Sequence, residues 1–453
     1  MRSIRSLITA VCAVFIIGSA VSAQSGKPPI IIVPGLTGTE LVNRSTGEKV
    51  WFKLQRAKDD DVRLPISPNL AANRDNLMPG DIIRSVSFAK FLPETEIYEK
   101  LVGSLEKTGG YREARWDTRA RADASDTFFV FAYDWRRDNV ENARLLIRRI
   151  ETLKARLGKP DLKFNIIAHS MGGLISRYAA MYGNADLRPG TPTPTWAGAR
   201  HFDKIFLLGT PNEGSLLSFE ALLKGVSYVG SGIKLPWVQD LDRFDVFTIP
   251  SVYQLLPFDG SFNAYNEDLE PLKIDIYDPN AWDEYDWGVW DDEAFKKKFS
   301  PAEQRVSRAY FSAALRRAKQ FQLALSANTR NNVSVSFYLM GGDCKDTQNA
   351  VVIRRNEKKD RWITQFNADS YTSSTGKKIS SEQLKAVLYT VGDSVVPKRS
   401  LALETLRTNG HVNILPVTNE LFQCEGHSRL VTNPEIQAKL FSLLGSPVAA
   451  THP

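Results

Sequence analysis

Ser170 stands in "AHSMGG" (168–173), between the apolar run "FNII" and the helix-forming "LISRYAAMY". A serine hydroxyl is displayed as a nucleophile by a sharp strand-to-helix turn, which closes only when its neighbours are small. Ala168 and Gly172 flank Ser170 at two residues on either side, and Gly173 follows. A serine that merely accepted the first amides of a helix would need no such neighbours. The chemistry that fits is nucleophilic attack on an acyl carbonyl. It calls for a base, a carboxylate to orient that base, and two amides to hold the oxyanion.

The chain has five histidines, which keeps the search for a base short. His169 lies inside the turn, facing away from Ser170, and His452 is in the tail. His201 precedes the run "KIFLLG", and His411 opens "HVNILPV", so both belong to the wrong edge of a parallel sheet. His427 follows the last run, just before a closing helix, and is the expected base. Two aspartates are open as the acid: Asp393, in the Gly-Asp turn of "VLYTVGDSVVPKRS", and Asp343, directly after "FYLMGG". Either could instead be a turn residue bonding its own backbone. The oxyanion amides are expected from Met171, at the helix start where the dipole assists, and from Leu36, after Gly35 in "VPGLTGTE".

These residues need a frame. The runs "PPIIIVPG" (28–35), "TFFVFAYDW" (127–135), "KFNIIAHS" (163–170), "KIFLLGTP" (204–211) and "VSVSFYLMGG" (333–342) are apolar without alternation, as strands covered on both faces are. Between them, Val140, Ala143, Ile147, Ile150, Leu153 and Leu157 share one helical face, and Gly158 and Pro160 supply the stop. Strand–helix alternation predicts an α/β fold with a doubly wound, mostly parallel sheet. The core is expected over 24–214 and 333–447, with 448–453 as a tail. Residues 215–332 read as an inserted cap, with a helix opened by the capping box Ser300–Glu303 and Pro301 at its first position. The aromatics Trp282, Tyr285, Trp287 and Trp290 read as packing for that cap, with an acyl or interfacial surface as their other use. Residues 345–384 form a second, polar excursion. Residues 51–92 read as a long lid-like surface loop, its "KDDD" (58–61) solvated.

At 453 residues and 43% hydrophobic, the chain can bury a sizeable core. Arg2 and Arg5, the run "LITAVCAVFIIG" and the small-residue "AVSA" have the order of a secretory signal peptide over 1–23. The apolar run is shorter than the roughly 20 residues a bilayer span needs. A secreted or periplasmic location is expected. Export leaves Cys344 and Cys424, an even pair in an oxidising compartment, expected as a disulfide or else as two buried thiols. No His or Cys pair has ligand spacing, so no metal is expected. The formal charge of +7 becomes +5 without Arg2 and Arg5, and it lacks a basic tract interleaved with aromatics. Nucleic acid is not expected as a partner. Contact with anionic lipid surfaces is compatible with this charge.

Seven stretches then fall in one order over roughly residues 29–440: "IIVPGLTGTEL", "YDWRRD", "AHSMGGLISRY", "LLGTPNEGS", "PSVYQLLP", "GDSVVP" and "GHSRLV". In these the chain resembles the lecithin:cholesterol acyltransferase-like family of α/β-hydrolases, which includes phospholipid:diacylglycerol acyltransferases and lysosomal-type phospholipases A. The resemblance implies an α/β-hydrolase fold with 215–332 as cap. It implies Ser170 as nucleophile, Asp393 as acid, His427 as base, and the amides of Leu36 and Met171 as oxyanion donors. It also implies a lipid or other acyl-ester substrate, an acceptor that is water or an alcohol, and no cofactor. Ala168 stands where the family more often has Gly, and the cysteines are too few for the lid disulfide of the animal plasma and lysosomal members. A bacterial secreted or periplasmic protein fits that count. The sequons at Asn43 and Asn332 matter only in a eukaryotic secretory pathway. A carboxylesterase acting on non-lipid esters and a catalytically silent lipid-binding protein are the alternatives; a peptidase or amidase is disfavoured by the motifs.

Overall fold

The computed structural model describes residues 26–445 except 54–59, 87–94, 97, 118–123, 189, 191, 227–239, 259, 329–332, 357–359 and 412–413. The expected signal peptide (1–23), the tail (448–453), Asn332 and His452 lie outside the described residues.

The apolar runs become a seven-stranded sheet. Its strands are β1 (Ile30–Val33), β2 (Arg112–Glu113), β3 (Thr127–Val130), β4 (Phe164–His169), β5 (Phe202–Leu208), β6 (Ser336–Gly342) and β7 (Val417–Gln423). Their order is β7-β6-β5-β4-β1-β3-β2, and every neighbouring pair is parallel. Parallel strands need crossovers, which carry helices onto both faces. The residues of β1 show why the run does not alternate: Ile31 and Val33 join one apolar cluster, and Ile30 and Ile32 join another on the opposite face.

Three helices matter for the site: α1 (Glu99–Lys107), α2 (Asn139–Leu157) and α3 (Met171–Tyr182). The α2 start is fixed by the Asp138 carboxylate, which accepts the Val140 amide, and its end by Gly158 at φ 64°. Val140, Ala143, Ile147, Ile150 and Leu153 are buried, as their spacing predicts.

Three expectations need correction. Residues 51–92 are not one loop: Leu77–Ile82 pairs antiparallel with Thr39–Asn43, which also pairs with Lys49–Trp51. Within "KDDD", Asp60 is buried and ion-paired to Lys53 at 2.8 Å, two residues before the buried Val62, so this part of the run is not solvated. The excursion 345–384 is not separate from the cap. Asn263–Tyr265 runs parallel to Ala350–Asn356, and with Pro271–Leu272 and Arg361–Gln365 they make one four-stranded sheet. Cap strands of two or three residues leave too little periodicity to be read from sequence.

The cap helix Pro301–Leu325 opens with the Ser300–Glu303 capping box. Trp282 and Trp287 are buried edge-to-face at 5.7 Å, and both lie edge-on to Phe219. Their indole N–H groups donate to the Ile276 carbonyl and the Thr364 hydroxyl; that of Trp290 donates to Ser307. The Tyr285 ring lies tilted against Trp287 at 5.1 Å. These four aromatics pack the cap.

Candidate active site

β4 ends at His169 and α3 begins at Met171, so one residue makes the reversal. Ser170 makes it at φ 53°, ψ −127°, a conformation that side chains rarely adopt. A Cβ on Gly172 would sit 2.4 Å from the Val33 carbonyl oxygen, so α3 can start this close to β1 only without one. Ala168 is fully buried between Val33 of β1 and Leu207 of β5, where a methyl group fits.

The structure brings His427 and Asp393 to this turn. His427 Nε2 is 2.9 Å from Ser170 Oγ, and His427 Nδ1 is 2.7 Å from Asp393 Oδ2. The carboxylate only accepts, so Nδ1 carries the hydrogen and the Nε2 lone pair faces the hydroxyl. Asp393 is fully buried, and its other oxygen accepts the amides of Val395 and Val396 at 3.0 and 2.7 Å. The rival Asp343 faces Lys398 instead, at 3.7 Å. His201, at the start of β5, contacts Lys154 at 3.3 Å, and His411 contacts the Ser326 carbonyl at 3.0 Å.

Cys344 and Cys424 form a disulfide with Cα atoms 5.0 Å apart, joining the segments that leave β6 and β7. Lys345–Gln348 then pairs with Tyr389–Gly392, which leads into Asp393, while Cys424 lies three residues before His427. One bridge thus ties the segments that carry Asp393 and His427.

Gly35 approaches so closely that a Cβ there would lie 2.9 Å from Ser170 Cβ. The following turn is closed by the Gly38 amide on the Gly35 carbonyl at 3.1 Å, with Thr37 at φ 62°. The amides of Leu36 and Met171 have no hydrogen-bond partner among the described residues. "YDWRRD" holds this loop: the Tyr133 hydroxyl donates to the Pro34 carbonyl at 2.7 Å, and the Trp135 indole to the Thr39 carbonyl at 3.0 Å. Burial opposes the charge on Arg136, but Asp134 and Asp75 outweigh it and raise its pKa. "LLGTPNEGS" is scaffolding as well: Asn212 accepts from buried Arg177 at 2.9 Å, and Glu213 accepts the Leu406 amide at 2.8 Å.

Two residues at the site were not singled out from sequence. His169 does face away from Ser170, yet its ring lies 4.9 Å from that of His427 and its Nε2 donates to the His427 carbonyl at 3.1 Å. The Tyr98 hydroxyl meets His169 Nδ1 at 2.9 Å and accepts the Gly35 amide at 2.9 Å. Burial, with His427 alongside, pushes His169 down to about 3. Tyr98 is 71 residues from His169 in sequence and carries no motif that would have marked it. Among the described residues no group of three or more His, Cys, Asp or Glu could hold a metal ion.

Residues 85–269 match the family model for lecithin:cholesterol acyltransferase, consistent with an α/β-hydrolase of that kind and supporting acyl-ester hydrolysis or transfer in general. No curated protein is similar enough to match. Among solved structures, a chain of the Tle4-Tli4 complex is 14% identical, with a TM-score of 0.54 covering 93% of this chain and 98% of that one. The Bacillus licheniformis lipase BlEst2 in mature form is 13% identical, with 92% of each chain covered and a TM-score of 0.34. The phospholipase PlaB from Legionella pneumophila is 11% identical over 93% of this chain and 60% of that one, at 0.32. The last two superpose too loosely to bear on this chain. The sheet order and the strand–turn–helix at Ser170 make the fold that of an α/β-hydrolase.

Proposed function

We propose that this chain is a serine-dependent lipase, phospholipase or O-acyltransferase that works through an acyl-Ser170 intermediate. The observation that carries the reading is the run of contacts from Asp393 through His427 to a Ser170 hydroxyl held on a strained turn. His427 Nε2 takes the hydroxyl proton as Oγ attacks the ester carbonyl. The amides of Leu36 and Met171 receive the oxyanion, and Asp393 holds the imidazole tautomer and stabilises its charged form. His427 then protonates the leaving alcohol. Water or a second alcohol, deprotonated by His427, attacks the acyl-serine; His427 then returns that proton to Ser170 Oγ as the acyl–oxygen bond breaks and the product leaves. The match to the acyltransferase family model supports a lipid acyl ester as substrate.

A fluorophosphonate should label the wild-type protein at Ser170 and leave Ser170→Ala unlabelled. Labelled phospholipid, offered with and without an added alcohol, then separates hydrolysis from transfer. A Ser170→Ala protein that still turns over the ester would sink the reading; unlabelled wild type that still binds lipid would point to a silent binder. We also infer export after removal of residues 1–23, on the order of charge, apolar run and small residues there. Cell fractionation with amino-terminal sequencing tests it: protein found only in the cytoplasm would overturn export, and an exported chain beginning at Met1 would overturn removal of the segment.

A further inference from the structure

We propose that Tyr98 and His169 are positioning residues for this reaction, a one-way hydrogen-bond relay that locks the oxyanion loop to the segment carrying the base. The inference rests on the function proposed above, since it assigns His427 as base and the loop after β1 as an amide donor.

The relay runs through four groups. The Gly35 amide donates to the Tyr98 hydroxyl at 2.9 Å, that hydroxyl meets His169 Nδ1 at 2.9 Å, and His169 Nε2 meets the His427 carbonyl at 3.1 Å. Both ends are fixed by chemistry, because an amide N–H can only donate and a carbonyl can only accept. His169 Nε2 therefore carries the hydrogen, Nδ1 is the acceptor, and the Tyr98 hydroxyl donates to it. One proton order satisfies every group. Protonating His169 would leave the buried hydroxyl hydrogen without its acceptor, and burial holds the imidazole neutral at working pH. The His427 amide donates to the Asp393 carbonyl at 2.8 Å, so the base is gripped on both sides of its own Cα as well as through its ring.

The location argues for a role beyond packing. Tyr98 is buried in the apolar cluster of Ile32, Ile167 and Leu430, where aliphatic side chains would pack without any polar partner to satisfy. The two polar side chains instead connect Gly35, which lies so near Ser170 that a Cβ there would meet it, to the backbone of His427. None of the relay's hydrogen bonds goes to the Ser170 hydroxyl or to the amides of Leu36 and Met171, so its loss should misplace the catalytic groups while leaving substrate binding alone.

The test compares Tyr98→Phe, His169→Leu and His169→Gln with wild type, each checked for folding by thermal unfolding. The glutamine amide offers an acceptor and a donor in place of Nδ1 and Nε2–H. On an acyl ester, Tyr98→Phe should lower kcat about tenfold and His169→Leu about a hundredfold, with KM within about twofold and His169→Gln recovering most of the loss. Wild-type kcat in folded Tyr98→Phe, a loss carried by KM alone, or His169→Gln no better than His169→Leu would overturn the relay. Nitrogen-labelled histidine spectra read the proton order without activity and require no variant to fold. They should show His169 as the neutral Nε2–H tautomer from about pH 5 to 8; a charged ring or the other tautomer would overturn the proposal. If wild type is neither labelled at Ser170 nor active while these spectra hold, the catalytic reading fails and the hydrogen-bond relay stands as structure only.

Discussion

His427 and His201 sit at opposite ends of the same parallel sheet, each against ionisable or polar side chains. His427 lies between the Asp393 carboxylate and the Ser170 hydroxyl, beyond the carboxyl ends of β6 and β7. His201 faces Lys154 Nζ at 3.3 Å on one nitrogen and, on the other, the Arg200 Nε–H at 3.2 Å and Glu151 at 3.5 Å, at the amino end of β5. Burial, together with Lys154 and Arg200, pushes His201 down to about 4. The difference is one of neighbours. A histidine between an acceptor and a hydroxyl can pass a proton on, whereas one buried against an amine and a guanidinium is kept neutral despite a carboxylate nearby. The carboxyl edge also has what the other lacks, a strained turn feeding a helix amino terminus, where developing negative charge is stabilised.

The comparison can be broken most severely at Ser170. Ser170→Ala should lower kcat on an acyl ester by about a millionfold, while His201→Gln should leave it within about twofold. Comparable losses at the two edges would show that the carboxyl edge is not special. Next in size, Asp393→Asn should cost about ten-thousandfold in kcat by presenting the wrong tautomer to Ser170, and Asp343→Asn should cost far less. Equal losses for the two aspartates would reopen the choice of acid.

The bridge tests whether one edge needs covalent support. Replacing Cys344 and Cys424 by Ser opens a link between positions 80 residues apart and should destabilise the fold by about 2–4 kcal/mol in denaturant unfolding. An unchanged midpoint would show that the packing around Asp393 suffices. The smallest effect is shared by both edges. His169 and His201 have folded pKa values of about 3 and about 4, below the unfolded value of about 6.5. Below that value the unfolded chain binds protons that the folded one refuses, so their stability contribution is present above it and lost as pH falls toward 4. The melting temperature should fall across that window, and His169→Gln and His201→Gln should each flatten the fall by on the order of one proton. A fall of unchanged steepness in both variants would show that neither ring resists protonation.

The amino-acid order alone determined a good deal. Continuous apolar runs marked five of the seven sheet strands, because strands covered on both faces cannot alternate. The small residues around Ser170 marked the turn, because nothing larger fits against Val33. His427 and Asp393 followed from chain order, the aspartate with help from the resemblance. The tertiary structure decided what depends on partners far away in sequence. Tyr98 and His169 are one example, and the cap strand 263–265, legible only beside 350–356, is another. The burial of Asp60 is a third. Periodicity reports which face of an element is apolar; it does not report which polar group waits on the neighbouring segment, and that pairing exists only once the chain has folded.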